Sequence, residues 1–476
     1  MTEASTRGEG LFDRVARALF APRDPSGLAA FRVLFGLLGA ISAIRFLAYG
    51  WVGELFVKPR FYFSYFGFEW VRVMPPGAMH ALFAGLAVVS LMVAAGLFYR
   101  VAIVLFFLGF SYVQLLDVTN YLNHYYLVSL LAGLMALLPM NAAWSLDARL
   151  FPAKRRASVP AWAVYLLRFQ IAVVYTFAGL AKVNADWLVH GQPLGVWLAA
   201  RTGLPVIGPL FALPGAALVM SWAGCLFDLT IAVWLSIPRT RLPAYAVVLF
   251  FHAVTSALFP IGMFPLIMVT AALIFFPPSW PRDLLGRARA LLRLEPVTRA
   301  EAAPASEASF VRPRWLAPAL AVFAVFAVFQ IGFPLRAHLY GGNVHWHEQG
   351  MRWSWRVMVR EKNASVTYRV TNPVTGRVFE VAPRKYLTSR QERDFATQPD
   401  LLLQLGKRIA ADYAAREGVP VVVNVDAVVS LNGRSRARLV DPTVDLARVE
   451  DGLAKAPWIL PMPDEAPPRL TPVAMR

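Results

Sequence analysis

Long apolar runs broken by short charged loops fill the first two-thirds of the chain, whereas the last third alternates apolar and polar positions in short stretches. The first pattern is that of helices in lipid, because a hydrocarbon core takes about 20 consecutive, mainly apolar residues to cross. It predicts about nine spans, at 28–48, 79–98, 101–116, 122–139, 161–183, 214–237, 243–259, 261–277 and 316–335, the third being short. From about residue 337 the period becomes that of a folded domain outside the membrane. Residues 365–371, 377–381 and 421–431 read as strands, Asn432-Gly433 as a hairpin turn, and 399–417 as a helix. The expected fold is a polytopic α-helical membrane protein of about nine transmembrane helices with a C-terminal β-rich α+β soluble domain. Its divisions are an N-terminal segment 1–27, a transmembrane helical domain 28–336 and a soluble domain 337–476.

Charge placement orients this arrangement. Alternate loops carry Arg100, then Arg149, Lys154, Arg155 and Arg156, then Arg239 and Arg241, then the arginines between 282 and 314. The other loops hold only Lys58, Arg60, Arg72 and Arg201. The positive-inside rule then places the N-terminus in the cytoplasm and everything after the ninth span outside. The polar start, Met1 to Arg14, reads as the approach to a full span and not as a cleavable signal. Residues 296–314, rich in Ala, Pro, Ser and Glu, read as a flexible linker. The loop from Trp51 to Pro76 is dense in aromatics, either an interfacial belt or a mouth for a lipophilic ligand.

Composition agrees with a membrane protein. The 476 residues are 57% hydrophobic and 16% charged, against about 25% charged in an average globular protein. A net charge of +18 raises the question of nucleic acid, but the basic residues are dispersed with no aromatic interleaving, so no nucleic-acid partner is expected and the bilayer is. The single cysteine, Cys225, lies in an apolar run and excludes an intrachain disulfide. His345-Trp-His347-Glu348 has no further His or Cys after it to complete a metal site, so none is expected. No phosphate loop, nucleophile elbow or Cys-x-x-Cys is present.

Candidate chemistry lies in the apolar runs themselves. Lys182 ends the fifth span, where it is either a snorkelling anchor or a desolvated amine able to act as a base. Read as a helix, Arg168, Tyr175 and Lys182 share one face at heptad spacing. Asn123 and His124 open the fourth span, and His252, with Thr255 and Ser256, sits in the outer half of the seventh. Three ionisable side chains from three helices thus reach one depth, a pattern suited to an active site or to a proton relay in a transporter.

With these residues in place, the chain resembles the vitamin K-dependent γ-glutamyl carboxylase family and its bacterial relatives that share the horizontally transferred transmembrane domain. The resemblance is carried by residues 167–187, Asn123-His-Tyr-Tyr126, Phe251-His252 with Leu258 to Phe264, and Ser279-Trp-Pro-Arg282. In the last third Trp353-Ser-Trp355, Thr367-Tyr-Arg369, Val429 to Asn432, Asp441-Pro442 and Trp458 follow in family order. It implies a lysine at Lys182 that deprotonates reduced vitamin K, which reacts with oxygen to give a strong base. That base takes a γ-proton from a peptide glutamate, the carbanion captures carbon dioxide, and the quinone leaves as its epoxide. His124 is implied as the protonating or carbanion-side residue with Asn123 orienting it, and Tyr368 as a tyrosine linked to coupling. His252, Tyr175, Arg168 and Tyr368 are expected to bind the substrate or quinone, the role of His252 within the site being unassigned.

The expected localisation is the inner membrane of a bacterium, with a glutamate-containing peptide or protein as partner. The chain departs from vertebrate members in having Ala181 before Lys182, no interdomain disulfide and a shorter C-terminus. Quinone epoxidation without carboxylation, or a transporter or assembly factor with the same bundle, are the alternatives. Internal repeats with broken helices, which a transporter tends to show, are not detected.

Overall fold

Each predicted apolar segment forms a helix in the computed structural model, which describes residues 11–294 and 316–468. In chain order these are α1 (Ser26–Ala48), α2 (Pro76–Ala95), α3 (Tyr99–Leu115), α4 (Asn123–Leu137), α5 (Ala161–Leu180), α6 (Ala216–Ser236), α7 (Arg241–Leu258) and α8 (Phe264–Ala272). Then follow α9 (Trp280–Leu291) and α10 (Leu316–Leu335). The linker read at 296–314 lies outside the described residues.

The expected count of about nine spans is met only in part. Among the described residues six helices are long and apolar enough to cross a membrane, and seven if α8 and α9, which meet at a 93° bend, count as one broken span. The two that fall short are α3, of 17 residues, and α4, of 15. At 1.5 Å per residue they reach about 26 and 22 Å, less than a hydrocarbon core. The apolar helices make this a membrane protein.

Glycines set how closely the helices approach. A Cβ on Gly36 of α1 would lie 2.4 Å from the backbone nitrogen of Ala94, so α1 and α2 touch backbone to backbone. Likewise a Cβ on Gly179 of α5 would meet Leu229 at 2.7 Å, which draws α5 onto α6. At the bend after α8, the Arg168 guanidinium donates to the carbonyls of Ile274, Phe275 and Phe276 at 2.9, 3.1 and 3.0 Å. These are the carbonyls a helix end leaves unpaired.

The C-terminal α+β unit has four antiparallel strands, β1 (Lys362–Thr371), β2 (Val378–Val381), β3 (Val422–Leu431) and β4 (Ala437–Arg438), in the order β2-β1-β3-β4. Two helices accompany the sheet, α11 (Ser389–Phe395) and α12 (Pro399–Glu417). Proline at the first turn of α12 and Gly418 in the left-handed region after it mark its ends. Alternate residues of β3, Val423, Val425, Ala427, Val429 and Leu431, are buried with Leu401, Leu405 and Ile409 of α12. Asn432 and Gly433 both take positive φ where the chain leaves β3.

This unit is seated on the helices. Arg434 grips Asp186 with two bonds of 2.6 Å, and Asn432 donates to the same carboxylate at 2.7 Å. Burial opposes the Asp186 charge, but the bonds from Arg434 and Asn432 hold its carboxyl below the usual carboxylate range. The aromatic loop contributes to the seat: Phe63 and Tyr65 are buried in the core of the C-terminal unit, while Phe66 and Trp70 remain exposed. Half of the loop is therefore an interface between the two parts of the chain.

Candidate active site

At the junction of helices and C-terminal unit lies a cavity of about 910 Å³. Its walls are mainly aromatic and aliphatic, with Phe46, Trp51, Phe56, Trp197, Phe259 and Phe264 among them. Asn123 and His124 supply polar groups, Arg45, Arg201, Arg360 and Arg390 supply positive charge, and Glu361 is the one carboxylate among the described residues. Glu361 is already engaged, accepting from the Trp197 indole at 2.6 Å.

Asn123 and His124 reach this wall because α4 starts there, behind a short turn capped by Asp117. Its carboxylate accepts from the Thr119 amide at 2.9 Å and from Gln391 of the C-terminal unit at 2.8 Å. Burial pushes the Asp117 carboxyl up to about 6, with the hydrogen bonds pulling the other way. Tyr121 then fixes Asn123: its hydroxyl donates to Asn123 Oδ1 at 2.9 Å and accepts from the Trp353 amide at 2.8 Å. His124 is buried, its ring 4.6 Å from Tyr125 and 5.8 Å from Phe264.

Phe264 separates two histidines, since His252 lies 5.7 Å from its ring. His252 Nε2 is 3.4 Å from the Tyr175 hydroxyl, and its Nδ1 is buried with no hydrogen-bond partner among the described residues. Lys182 stands farther back. Its Nζ makes a buried ion pair with Asp228 Oδ2 at 2.7 Å, donates to the Ala178 carbonyl at 3.1 Å and lies over the Trp187 ring at 5.3 Å. Lys182 is not among the residues lining the cavity. The Trp187 ring beside it belongs to an apolar cluster with Leu258 and Phe259, of which Phe259 lines the cavity.

The sequence-predicted residues therefore separate into groups. Asn123 and His124 face the cavity, His252 and Tyr175 form a buried pair behind Phe264, and Lys182 is held by Asp228. Arg168 clamps the bend after α8, and Tyr368 sits in the core of the C-terminal unit with its hydroxyl donating to the Leu402 carbonyl at 2.8 Å. Neither lines the cavity. Sequence reasoning missed Asp228, although it is the one charged residue between 214 and 237. A carboxylate in such a run needs a cationic partner.

Two sequence families match the chain. The HTTM domain covers residues 20–280, and the vitamin K-dependent gamma-carboxylase lumenal domain covers residues 317–465. The chain belongs to the vitamin K-dependent gamma-carboxylase family. No solved structure matches it. The boundary between the two family domains falls between the α8–α9 bend and α10, so the cavity is built from both domains, with Val357, Met358, Arg360 and Glu361 closing it from the lumenal-domain side.

Proposed function

We propose that this carboxylase-family member oxygenates a reduced naphthoquinone of the vitamin K type and couples that reaction to carboxylation of a peptide glutamate. The reading places it in the inner membrane of a bacterium, N-terminus cytoplasmic and the C-terminal unit outside. The observation that carries it is the cavity with His124 and Asn123 in its wall, formed jointly by the two carboxylase-family domains.

The residues present fit a reduced quinone: flat aromatic walls for a ring system and a few convergent polar groups to orient it. When bound, reduced vitamin K supplies, with oxygen, a base strong enough to take a γ-proton from glutamate. His124, with Asn123 held beside it by Tyr121, moves a proton at the carbanion side. Arg360 and Arg390 favour an anionic substrate at the mouth. Lys182 is the base toward the hydroquinone. A free lone pair on Nζ requires its proton to leave, and Asp228 Oδ2 at 2.7 Å can hold that proton without changing the net charge of the pair. The role asks the four-carbon arm of Lys182 to swing from Asp228 toward the cavity, which it does not line.

The test incubates purified protein with reduced vitamin K, oxygen, labelled bicarbonate and a glutamate peptide, measuring epoxide and fixed label separately. Both products support the reading, and epoxide alone reduces it to a quinone epoxidase. Neither product, under conditions where a known carboxylase works, refutes it.

A further inference from the structure

The helix α9 presents an apolar face that none of the described residues covers. At 100° per residue, Trp280, Leu284, Leu285, Ala288, Leu291 and Leu292 fall within an arc of about 140°. Leu284 is 58% exposed, Leu285 52%, Leu291 84% and Leu292 69%. Arg282, Arg287, Arg289 and Arg293 lie outside this arc, with Arg287 and Arg293 exposed. A helix whose leucines sit in one stripe and whose arginines flank it suits a membrane surface, and burial in a protein core would have covered the stripe.

Geometry gives the helix that orientation. The 93° bend turns α9 nearly perpendicular to α8, so with α8 along the bilayer normal α9 lies in the plane of the membrane surface. The bend is fixed on three sides. Arg168 takes its carbonyls, the Ser26 hydroxyl donates to the Pro278 carbonyl at 3.2 Å, and Arg282 pairs with Asp24 at 2.8 Å. A Cβ on Gly27 would lie 2.7 Å from the same Pro278 carbonyl, so α1 meets the bend in backbone contact.

We propose that α9 is an in-plane docking surface for anionic phospholipid, its leucines entering the acyl boundary while Arg287 and Arg293 hold lipid phosphates. Arg282 is taken by Asp24, but exposed Arg287 and Arg293 make no ion pair among the described residues, and their charge selects anionic over zwitterionic headgroups. The inference is independent of the reaction.

The test places a bimane label at Leu285→Cys in a Cys225→Ser background and reconstitutes the full chain with brominated phospholipids. Strong quenching by brominated chains, weak quenching by aqueous iodide, and tighter association of brominated phosphatidylglycerol than of phosphatidylcholine are expected. Arg287→Gln with Arg293→Gln lowers that preference by about fivefold per arginine removed. A label at Val374→Cys, on an exposed position of the C-terminal unit, serves as the aqueous control. Iodide quenching at Leu285 equal to that at Val374 overturns the in-plane placement, and equal association of the two lipids overturns the anionic preference.

Discussion

Replacing Asp228 by Leu separates what Lys182 does for the fold from what it does for the reaction. The pair is 2.7 Å apart with side chains 7% and 9% exposed, so removing the carboxylate leaves an ammonium among Ala178, Trp187 and Cys225 with one carbonyl as its remaining acceptor. Breaking a buried pair from one side costs about 3–5 kcal/mol, while replacing both partners by apolar residues of similar size is near neutral or stabilising. Asp228→Leu is therefore expected to lower unfolding free energy by about 3 kcal/mol, and Asp228→Leu with Lys182→Met to return to within about 1 kcal/mol of the parent. Unfolding in mixed micelles with increasing dodecyl sulfate, followed by tryptophan fluorescence, measures both. Epoxide formation is assayed in parallel. The single variant loses stability and activity together; the double variant regains stability and stays inactive. A double variant as unstable as the single removes the ion pair as the source of the cost. One that recovers full epoxide formation removes Lys182 as the base.

Gly179→Val is expected to push α5 off Leu229 and lengthen the 2.7 Å Lys182–Asp228 contact, destabilising by about 2 kcal/mol in the same unfolding assay; an unchanged stability would contradict the close approach. Tyr121→Phe removes the hydroxyl shared by Asn123 and the Trp353 amide and is expected to slow product formation by about tenfold, the worth of one to two buried hydrogen bonds. Arg434→Gln is expected to loosen the seat of the C-terminal unit, read as faster amide exchange around 184–198. The Asp186 carboxyl is held down, so its contribution to that seat is present above the unfolded carboxylate value of about 3.9 and is lost as pH falls through the lower folded value. Parent protein should show exchange rising in that acid window; Asp186→Asn should show none of that rise.

Legibility followed the strength of the physical signal. Helix α5 announces itself by a long run from Pro160 that is apolar but for a few residues such as Arg168 and Gln170, and β3 by ten β-prone residues whose inward positions are all apolar, ending at Asn432-Gly433. Span count was harder: the third segment already reads as short, but the fourth, read over 122–139, stops as a helix at 15 residues, and the eighth breaks at a bend that hydropathy does not register. Within the site, Asn123 and His124 were readable because a polar pair opening an apolar helix must face something polar. Helical phase put Arg168 and Lys182 on one face but could not say that 14 residues, about 21 Å along the axis, send one to the α8 bend and the other to Asp228. Tyr368 shows the limit of resemblance alone: its position in β1 turns it toward α12, where Leu402 takes its hydroxyl.

The cavity draws its wall from segments as far apart in sequence as Ser42 and Arg390, and five of its lining residues lie beyond residue 356. A ribosome that has made only the helices has produced an open trough. The chamber closes when the last third of the chain has folded and Arg434 has found Asp186. Order of synthesis thus acts as an interlock: a chain cut short before the C-terminal unit keeps its His124 and its Lys182 and has no enclosed space in which to bring a reactant to them.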